Sequence, residues 1–271
     1  MSRRLRSRGA IPFRVYSYSG ESMLPEQVAS IRSFLQNAGR PKSFNVVSDG
    51  THTERSIELL QRIDSCIAVT SLPGSARVPR AGEGVSPSRT SAEAPWAESL
   101  NSYLTTHPTG KQLALIMSLP VDEGPVLYVD SDVLFFKRAH ELASLSETRG
   151  VRAFYLADCQ FSGDERLLRE ASEWEEPVNT GVLLLFQKLD WSLSLQRFAE
   201  LKGEPSFFTN QTMTHLAMHA NGAVPFDREK YNLRLDDQFV YSDRYAGNDL
   251  ALRHYVNSVR HKFWTTLRRS R

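Results

Sequence analysis

Two aspartates interrupt a strongly apolar run near the middle of this 271-residue chain, in the segment Val126-Leu-Tyr-Val-Asp130-Ser-Asp132-Val-Leu-Phe-Phe136. Side chains two apart in a strand share one face, so both carboxylates point the same way where the strand leaves the core. Like charges this close repel and need a cation, and hard oxygen ligands suit Mg²⁺ or Mn²⁺. Such an ion commonly takes phosphate oxygens from a substrate. The segment therefore predicts a metal site that binds a diphosphate.

The same segment has two other interpretations. Asp-Ser-Asp is good turn chemistry, and most carboxylate pairs lie on a solvated surface. A surface turn, however, rarely has four apolar residues on each side. Haloacid-dehalogenase-like phosphatases also place an Asp-x-Asp after an apolar strand, where the first Asp is a nucleophile. In those enzymes the motif lies near the start of the domain, whereas a long stretch of chain precedes Asp130.

A histidine and two cationic residues near the C-terminal end extend the metal-site prediction. His254 lies near the end of a predicted strand, and a neutral imidazole is a good third ligand beside two carboxylates. A lone histidine is usually structural. Arg260 and Lys262 follow it, with His261 between them, and their positive charge suits a metal-bound diphosphate.

Strand-like and helix-like segments alternate through the first half of the chain, which favours a mostly parallel sheet with helices on its faces. The predicted strands lie at 13–18, 43–47, 66–70, 126–136, 152–157, 182–186 and 251–256. The predicted helices lie at 25–37, 53–63, 111–119 and 210–220. In open α/β sheets, ligands collect beyond the carboxyl ends of the parallel strands.

Three more polar residues lie at predicted strand ends: Tyr18, Asp49 and Asp158. If the sheet is parallel, Tyr18 and Asp49 meet Asp130 at one edge. There Asp49 could accept hydrogen bonds from a nucleoside while Tyr18 stacks on its base. Each also has a structural interpretation, since Asp49 is part of an Asp-Gly turn.

Size and composition predict a single domain at 11–264 between two basic, disordered tails at 1–10 and 265–271. The net charge of +2 offers no broad electrostatic case for nucleic acid.

No apolar stretch is long enough to span a bilayer, and no signal peptide follows the basic N-terminus, so we expect a cytoplasmic protein. Membrane contact would be peripheral at most, through the basic tails. Residues 71–95 lack periodicity and predict either a mobile lid or a disordered insertion.

Taken together, these segments resemble the GT-A fold glycosyltransferases, in particular the glycogenin and lipopolysaccharide galactosyltransferase group and its uncharacterised bacterial relatives. The stretch 127–134 resembles the Asp-x-Asp motif of that group. The stretch 254–260 resembles its closing His-x-x-Gly-x-x-Lys motif, whose His is the third metal ligand and whose Lys meets the diphosphate. Asn257 stands in place of the Gly, and Arg260 in place of the Lys.

Other residues match the group more loosely. Lys111 and Pro120 resemble a basic helix and a proline that precede the Asp-x-Asp motif. Asn179 begins a stretch that resembles the strand touching the donor sugar. Asn210-Gln211 stands where the group has an Asp-Gln pair, so the resemblance places Gln211 near the sugar and puts an amide where a carboxylate is expected.

The resemblance implies a GT-A, Rossmann-like α/β fold with a mostly parallel central sheet, flanking helices and a small antiparallel addition. It implies transfer of a hexose from a nucleotide diphosphate sugar, with a UDP-sugar favoured, to a hydroxyl of a glycan, lipid or small molecule. The predicted cofactor is Mn²⁺ or Mg²⁺. A retaining enzyme needs no base, and an inverting one would need a carboxylate such as Asp158, Asp236 or Asp237. The alternatives are a catalytically weak nucleotide-binding module on the same fold, and a phosphatase or nucleotidyltransferase that uses the Asp-x-Asp.

Overall fold

The computed structural model describes residues 9–72, 95–148 and 150–269. The strands in these ranges are β1 (Arg14–Ser19), β2 (Ser43–Ser48), β3 (Ile67–Ser71), β4 (Val126–Val129), β5 (Val133–Phe135), β6 (Ala153–Ala157), β7 (Val178–Leu185), β8 (Val224–Pro225), β9 (Tyr231–Asn232) and β10 (Leu252–His254). The α-helices are α1 (Leu24–Asn37), α2 (Glu54–Gln61), α3 (Pro95–Thr106), α4 (Pro108–Met117), α5 (Leu142–Leu145), α6 (Ser192–Ala199), α7 (Thr209–Ala220) and α8 (His261–Arg269).

Seven strands form the central sheet, in the order β3-β2-β1-β4-β7-β6-β8. The first four run parallel, and β7 runs antiparallel to β4 and β6 on either side of it. Every residue of β4, β6 and β7 is buried, as expected for strands covered on both faces. The predicted mostly parallel sheet with flanking helices is confirmed.

The direction of β7 decides which side chains meet. The carboxyl ends of β1, β2, β4 and β6 lie at one edge of the sheet, and the start of the antiparallel β7 lies there too. Ala157, the last residue of β6, pairs with Val178, the first of β7. The register of this pair shifts between Tyr155 and Leu156, and such bulges commonly redirect side chains beside active sites.

A second, smaller sheet has three strands, in the order β5-β10-β9. The stretch from Asp130 to Asp132 connects β4 of the large sheet to β5 of the small one. The prediction of one continuous strand through both aspartates was therefore wrong. The backbone N–H of Asp130 donates to Gly181 O (2.8 Å), and Asp132 O accepts from the N–H of Tyr255 (2.9 Å). These two hydrogen bonds join the turn to β7 of the central sheet and to the residue that follows β10 of the small sheet.

Two apolar cores position these sheets. One packs α3, α4, α6 and α7 on one face of the central sheet, and the other packs α1 and the small sheet on the opposite face. In α4, Leu113 to Met117 are all buried, which confirms the predicted buried helix. No helix among the described residues is long and apolar enough to cross a membrane.

Several element boundaries differ from the prediction. The helix α3 was not among the predicted elements, and β7 begins at Val178 rather than at 182. The helix α8 continues to Arg269, so the domain boundary predicted at 264 falls inside a helix that packs Phe263 into the core. Residues 1–8 of the predicted N-terminal tail and 73–94 of the predicted lid lie outside the described residues.

Candidate metal and catalytic site

Three residues from two sheets form a cluster of metal-type ligands. Asp130, Asp132 and His254 each offer one ligand atom, and these atoms lie within 4.8 Å of one another. His254 Nε2 lies 3.0 Å from Asp132 Oδ1 and 3.8 Å from Asp130 Oδ2. Two carboxylates and one imidazole are a suitable donor set for Mn²⁺ or Mg²⁺, so the residues present fit the predicted ion.

A hydrogen bond to Nδ1, on the side of the ring away from the two carboxylates, sets the tautomer of His254. Its Nδ1 lies 2.9 Å from Asn179 Oδ1, and that oxygen also accepts the backbone N–H of Gly181 at 2.8 Å. The second contact fixes the amide with its oxygen toward the ring, so Nδ1 carries a proton and donates. Nε2 is thereby aimed at the two carboxylates, as metal-binding histidines usually are.

The electrostatics of the cluster favour a cation. Burial raises the pKa of Asp130 to about 6, although the charge of His254 opposes this shift. Burial also disfavours the ionised form of Asp132, but His254 and Arg260 outweigh it and hold the pKa of that carboxyl below its usual value. Burial opposes a charged His254, yet the Asp132 carboxylate raises its pKa. In both carboxyls, burial disfavours the ionised form and the neighbouring cationic groups favour it.

The two cationic residues predicted to bind phosphate point in different directions. Arg260 Nη2 donates to Asp132 Oδ2 at 2.5 Å, so its guanidinium lies at the ligand cluster. The side chain of Lys262 is fully buried, and its ammonium donates to the carbonyls of Val240 and Ser242. This position does not fit the predicted phosphate contact. The reason is that α8 begins at His261, and residues two apart in a helix do not face the same way.

The three residues predicted to act on the sugar lie together. Asn179 Nδ2 and Gln211 Nε2 both donate to Asp158 Oδ2, each at 3.2 Å. Asp158 Oδ1 accepts the backbone N–H of Cys159 at 2.8 Å, so both oxygens are held. Because Asn179 also contacts His254, this group is continuous with the metal-type cluster.

The other predicted bases lie in a different environment. Asp237 is fully buried and pairs with Arg253 at 2.9 Å, and Asp236 accepts from the hydroxyl of Tyr245. Among the three carboxylates considered as bases, Asp158 alone contacts the site residues.

The residues predicted for the nucleoside lie at the same edge. Tyr18 is the fifth residue of β1, and burial raises the pKa of its phenol to about 12, with a further contribution from Asp49. Asp49 follows β2 and packs against Gly20, where an added Cβ would lie 2.6 Å from Asp49 Oδ1. Its Oδ1 also accepts from the N–H and hydroxyl of Thr51 at 2.8 and 2.7 Å. Lys111 lies in α4, partly buried, next to a residue that contacts Asp130.

No protein-family model and no curated protein sequence matches the chain. Solved structures do match it. The galactosyltransferase LgtC, in complex with donor and acceptor sugar analogues, aligns over 95% of this chain and 96% of its own, with a TM-score of 0.59 and 14% identity. Mouse xyloside xylosyltransferase 1 covers 92% of this chain and 99% of its own (TM-score 0.54, 11% identity). Core-mannan synthase A from Aspergillus fumigatus, in an Mn/GDP form, covers 83% and 74% (TM-score 0.51, 10% identity).

The chain has the GT-A glycosyltransferase fold. This confirms the fold that the sequence resemblance implied. At these identities the likeness is one of fold, and the site must be argued from the residues of this chain.

The sequence analysis missed two residues that contact this ligand cluster. Tyr128 donates from its hydroxyl to Asp130 Oδ1 at 2.8 Å, and Gln112 Nε2 donates to the same oxygen at 2.9 Å. Tyr128 precedes Asp130 by two positions, so the strand spacing already placed both on one face. The signal for Gln112 was weaker, since it is a polar residue at the start of an otherwise apolar stretch of α4.

Gly181 is a further requirement of the site, because the imidazole of His254 lies against its backbone. A Cβ added at Gly181 would overlap the imidazole ring and lie 2.8 Å from Asn179 Oδ1. We expect Gly181→Ala to displace His254 and weaken Mn²⁺-dependent nucleotide binding by about 10-fold or more. Titration of Mn²⁺ in the presence of UDP or GDP measures this effect.

A glycine without such a neighbour is the matched control for that substitution. A Cβ added at Gly247 would have its nearest neighbour at 4.0 Å, so Gly247→Ala should leave the affinity for the ion unchanged. Equal affinities for the two variants and the wild type would show that the close approach of Gly181 to His254 is not required.

Proposed function

We propose that this protein is a metal-dependent glycosyltransferase that moves a hexose from a nucleotide diphosphate sugar to an acceptor hydroxyl. The observation that carries the proposal is the convergence of Asp130, Asp132 and His254 at the edge of the sheet where ligands of α/β folds collect. LgtC binds donor and acceptor sugar analogues, and core-mannan synthase A has an Mn/GDP form, which supports this substrate class. A UDP-sugar is the favoured donor, as the sequence resemblance implies.

In the proposed site, Asp130, Asp132 and His254 would hold Mn²⁺ or Mg²⁺. When bound, such an ion stabilises the negative charge that grows on a diphosphate leaving group. Arg260 lies against Asp132, where its guanidinium can bind phosphate oxygens with paired hydrogen bonds. Its charge is preorganised at the cluster, so it adds to the stabilisation of the leaving group without rearrangement.

Asn179 and Gln211 are proposed to fix the donor sugar, with Asp158 holding both amides in place. Amides held by a buried carboxylate keep one orientation, so the anomeric carbon can be placed for attack at little entropic cost. Both oxygens of Asp158 are engaged by N–H groups, which favours this positioning role over that of a general base. We therefore favour a retaining reaction.

Tyr18 and Asp49 are proposed to bind the nucleoside, and Lys111 to lie near the phosphates or the sugar. The hydroxyl of Tyr18 is buried without a hydrogen-bond partner in the described part of the chain. A buried donor of this kind gains a partner when a ligand brings an acceptor to it. Asp49, beside it, can accept from ribose hydroxyls.

A thermal-shift panel of nucleotide sugars, with and without Mn²⁺, tests the function. A ligand at about 100 times its Kd stabilises the native state by about 2.7 kcal/mol, which for a domain of this size raises Tm by roughly 5–10 °C. We expect such a shift for UDP-sugars only when Mn²⁺ is present. If Mn²⁺ changes the response to none of the UDP- or GDP-sugars, the proposed metal-diphosphate site is contradicted.

Turnover separates an enzyme from a binding module on the same fold. If the protein is an enzyme, we expect slow hydrolysis of the donor when no acceptor is present, and the release of UDP from a bound UDP-sugar should depend on Mn²⁺. Binding without any release of UDP would favour the module, and release of phosphate from simple phosphomonoesters would favour a phosphatase.

A further inference from the structure

Gln112 is the centre of a hydrogen-bond network beside the metal-type cluster. Its Nε2 donates to Asp130 Oδ1 and to the hydroxyl of Tyr128, both at 2.9 Å. Its Oε1 accepts from Asn210 Nδ2, also at 2.9 Å. An ionised carboxylate can only accept, so the amide nitrogen of Gln112 must face Asp130 and its oxygen must face Asn210.

The remaining members of the network have fixed directions as well. The fully buried Tyr128 donates its single hydroxyl proton to Asp130, so it accepts from Gln112. Asn210 Oδ1 accepts the backbone N–H of Gln211 at 2.7 Å, which leaves Nδ2 to face Gln112. The hydrogen bonds of Asn210 and Gln112 therefore run from α7 through α4 to Asp130 Oδ1, which also accepts from Tyr128 of β4.

The consequence concerns the other oxygen of Asp130. Oδ1 accepts from two donors, the N–H of Gln112 and the O–H of Tyr128, while Oδ2 is the oxygen that lies 3.8 Å from His254 Nε2. A carboxylate held through one oxygen cannot rotate freely. Its second oxygen is thus kept toward the position where the three ligand atoms converge.

We propose that Gln112 is a positioning residue for the ion, and that its role requires a neutral amide at position 210. The proposal rests on the metal site of the proposed function, and it adds a reason why residue 210 is an asparagine rather than an aspartate. A carboxylate at 210 would repel Gln112 Oε1 or draw the amide nitrogen away from Asp130. In either case Asp130 loses a donor, so Asn210 and Gln112 form a matched pair.

Two substitutions test the network, one that leaves the charge unchanged and one that adds a negative charge. Gln112→Leu removes the donor to Asp130 without changing the charge, and we expect it to weaken Mn²⁺ binding by about 10- to 100-fold. Asn210→Asp adds a negative charge near the ion, which by charge alone would strengthen binding. The positioning role predicts instead that Asn210→Asp weakens it.

The probe is Mn²⁺ alone, followed through the paramagnetic resonance signal of the free ion, and the titration is repeated with UDP and with GDP. Gln196→Leu, on the exposed face of α6, is the matched control and should bind Mn²⁺ as the wild type does. Thermal unfolding without the ion checks that each variant is folded. Should Gln112→Leu unfold, Asn210→Asp still decides the question.

The outcomes are distinct for the two proposals. Wild-type affinity in Gln112→Leu, or tighter binding in Asn210→Asp, would overturn the positioning role and leave the metal site standing. A wild-type protein that binds no Mn²⁺ under any of the three conditions would overturn the metal site, and the positioning role with it.

Discussion

Asp132→Ala should abolish metal-dependent nucleotide binding while the protein stays folded. Asp132 is the most connected ligand of the cluster, since one oxygen lies 3.0 Å from His254 Nε2 and the other 2.5 Å from Arg260 Nη2. Its loss removes a ligand and releases the guanidinium that would bind the diphosphate. Because a bound ion supplies several kcal/mol of transition-state stabilisation, we expect transfer to fall by about a thousandfold or more.

The measurement pairs a binding assay with an unfolding assay. Titration of UDP with Mn²⁺ should show no ion-dependent affinity in Asp132→Ala, whereas the unfolding midpoint without the ion should change little. Asp122→Ala is the matched control, because Asp122 is exposed in the turn before β4 and should behave as the wild type in both assays. An unchanged nucleotide affinity in Asp132→Ala would remove these residues from the proposed site.

The ligand cluster was predictable because its residues lie at strand ends: Asp130 follows β4, Asp132 precedes β5, and His254 is the last residue of β10. Apolar runs that end in Asp130 or His254 mark carboxyl ends of strands, and a mostly parallel sheet brings such ends to one edge. The same reasoning placed Tyr18 and Asp49 at that edge. Prediction of the cluster therefore needed the element order and strand ends, which apolar patterning carries well.

Contacts that depend on strand direction or helix rotation were not predictable. The apolar pattern alone did not place Asn179 beside His254, because that contact depends on the antiparallel direction of β7; only the family resemblance pointed to Asn179. Gln112 meets Asp130 because of how α4 is rotated about its axis on the sheet. Lys262 was predicted to contact phosphate because its positive charge follows His254 closely in the sequence, but it lies in the first turn of α8, where its side chain is buried away from the cluster.

Asp237→Ala should destabilise the fold by about 3–5 kcal/mol, the cost of breaking a buried ion pair by removing one partner. Asp237 and Arg253 are both fully buried, and Asp237 Oδ1 lies 2.9 Å from Arg253 Nη2. Lys262 Nζ lies 3.4 Å from the other oxygen, and Asp243 also pairs with Arg253. Without Asp237, Arg253 would keep Asp243 as a carboxylate partner, whereas the buried ammonium of Lys262 would keep the carbonyls of Val240 and Ser242 but lose the carboxylate given for it. Urea unfolding at neutral pH measures the loss.

The adjacent aspartate is the matched control, because Asp236 is exposed and contacts only the hydroxyl of Tyr245 among the described residues. Asp236→Ala should change the free energy of unfolding by less than about 1 kcal/mol. A loss of equal size in both variants would contradict the role of the buried pair.

The pH dependence of unfolding is a further test of the role of Asp237, and its direction follows from the pKa of this carboxyl. Burial disfavours the ionised form of Asp237, but Arg253 and neighbouring donors outweigh it and hold the pKa of Asp237 below its ordinary value of about 3.9. The unfolded chain therefore takes up this proton at a higher pH than the native protein does. The stabilisation is complete above about pH 4 and is lost as the pH falls through the lower native pKa. The slope of stability with pH should consequently be shallower in Asp237→Ala than in the wild type, and an identical slope would show that this carboxylate is not held by its buried partners.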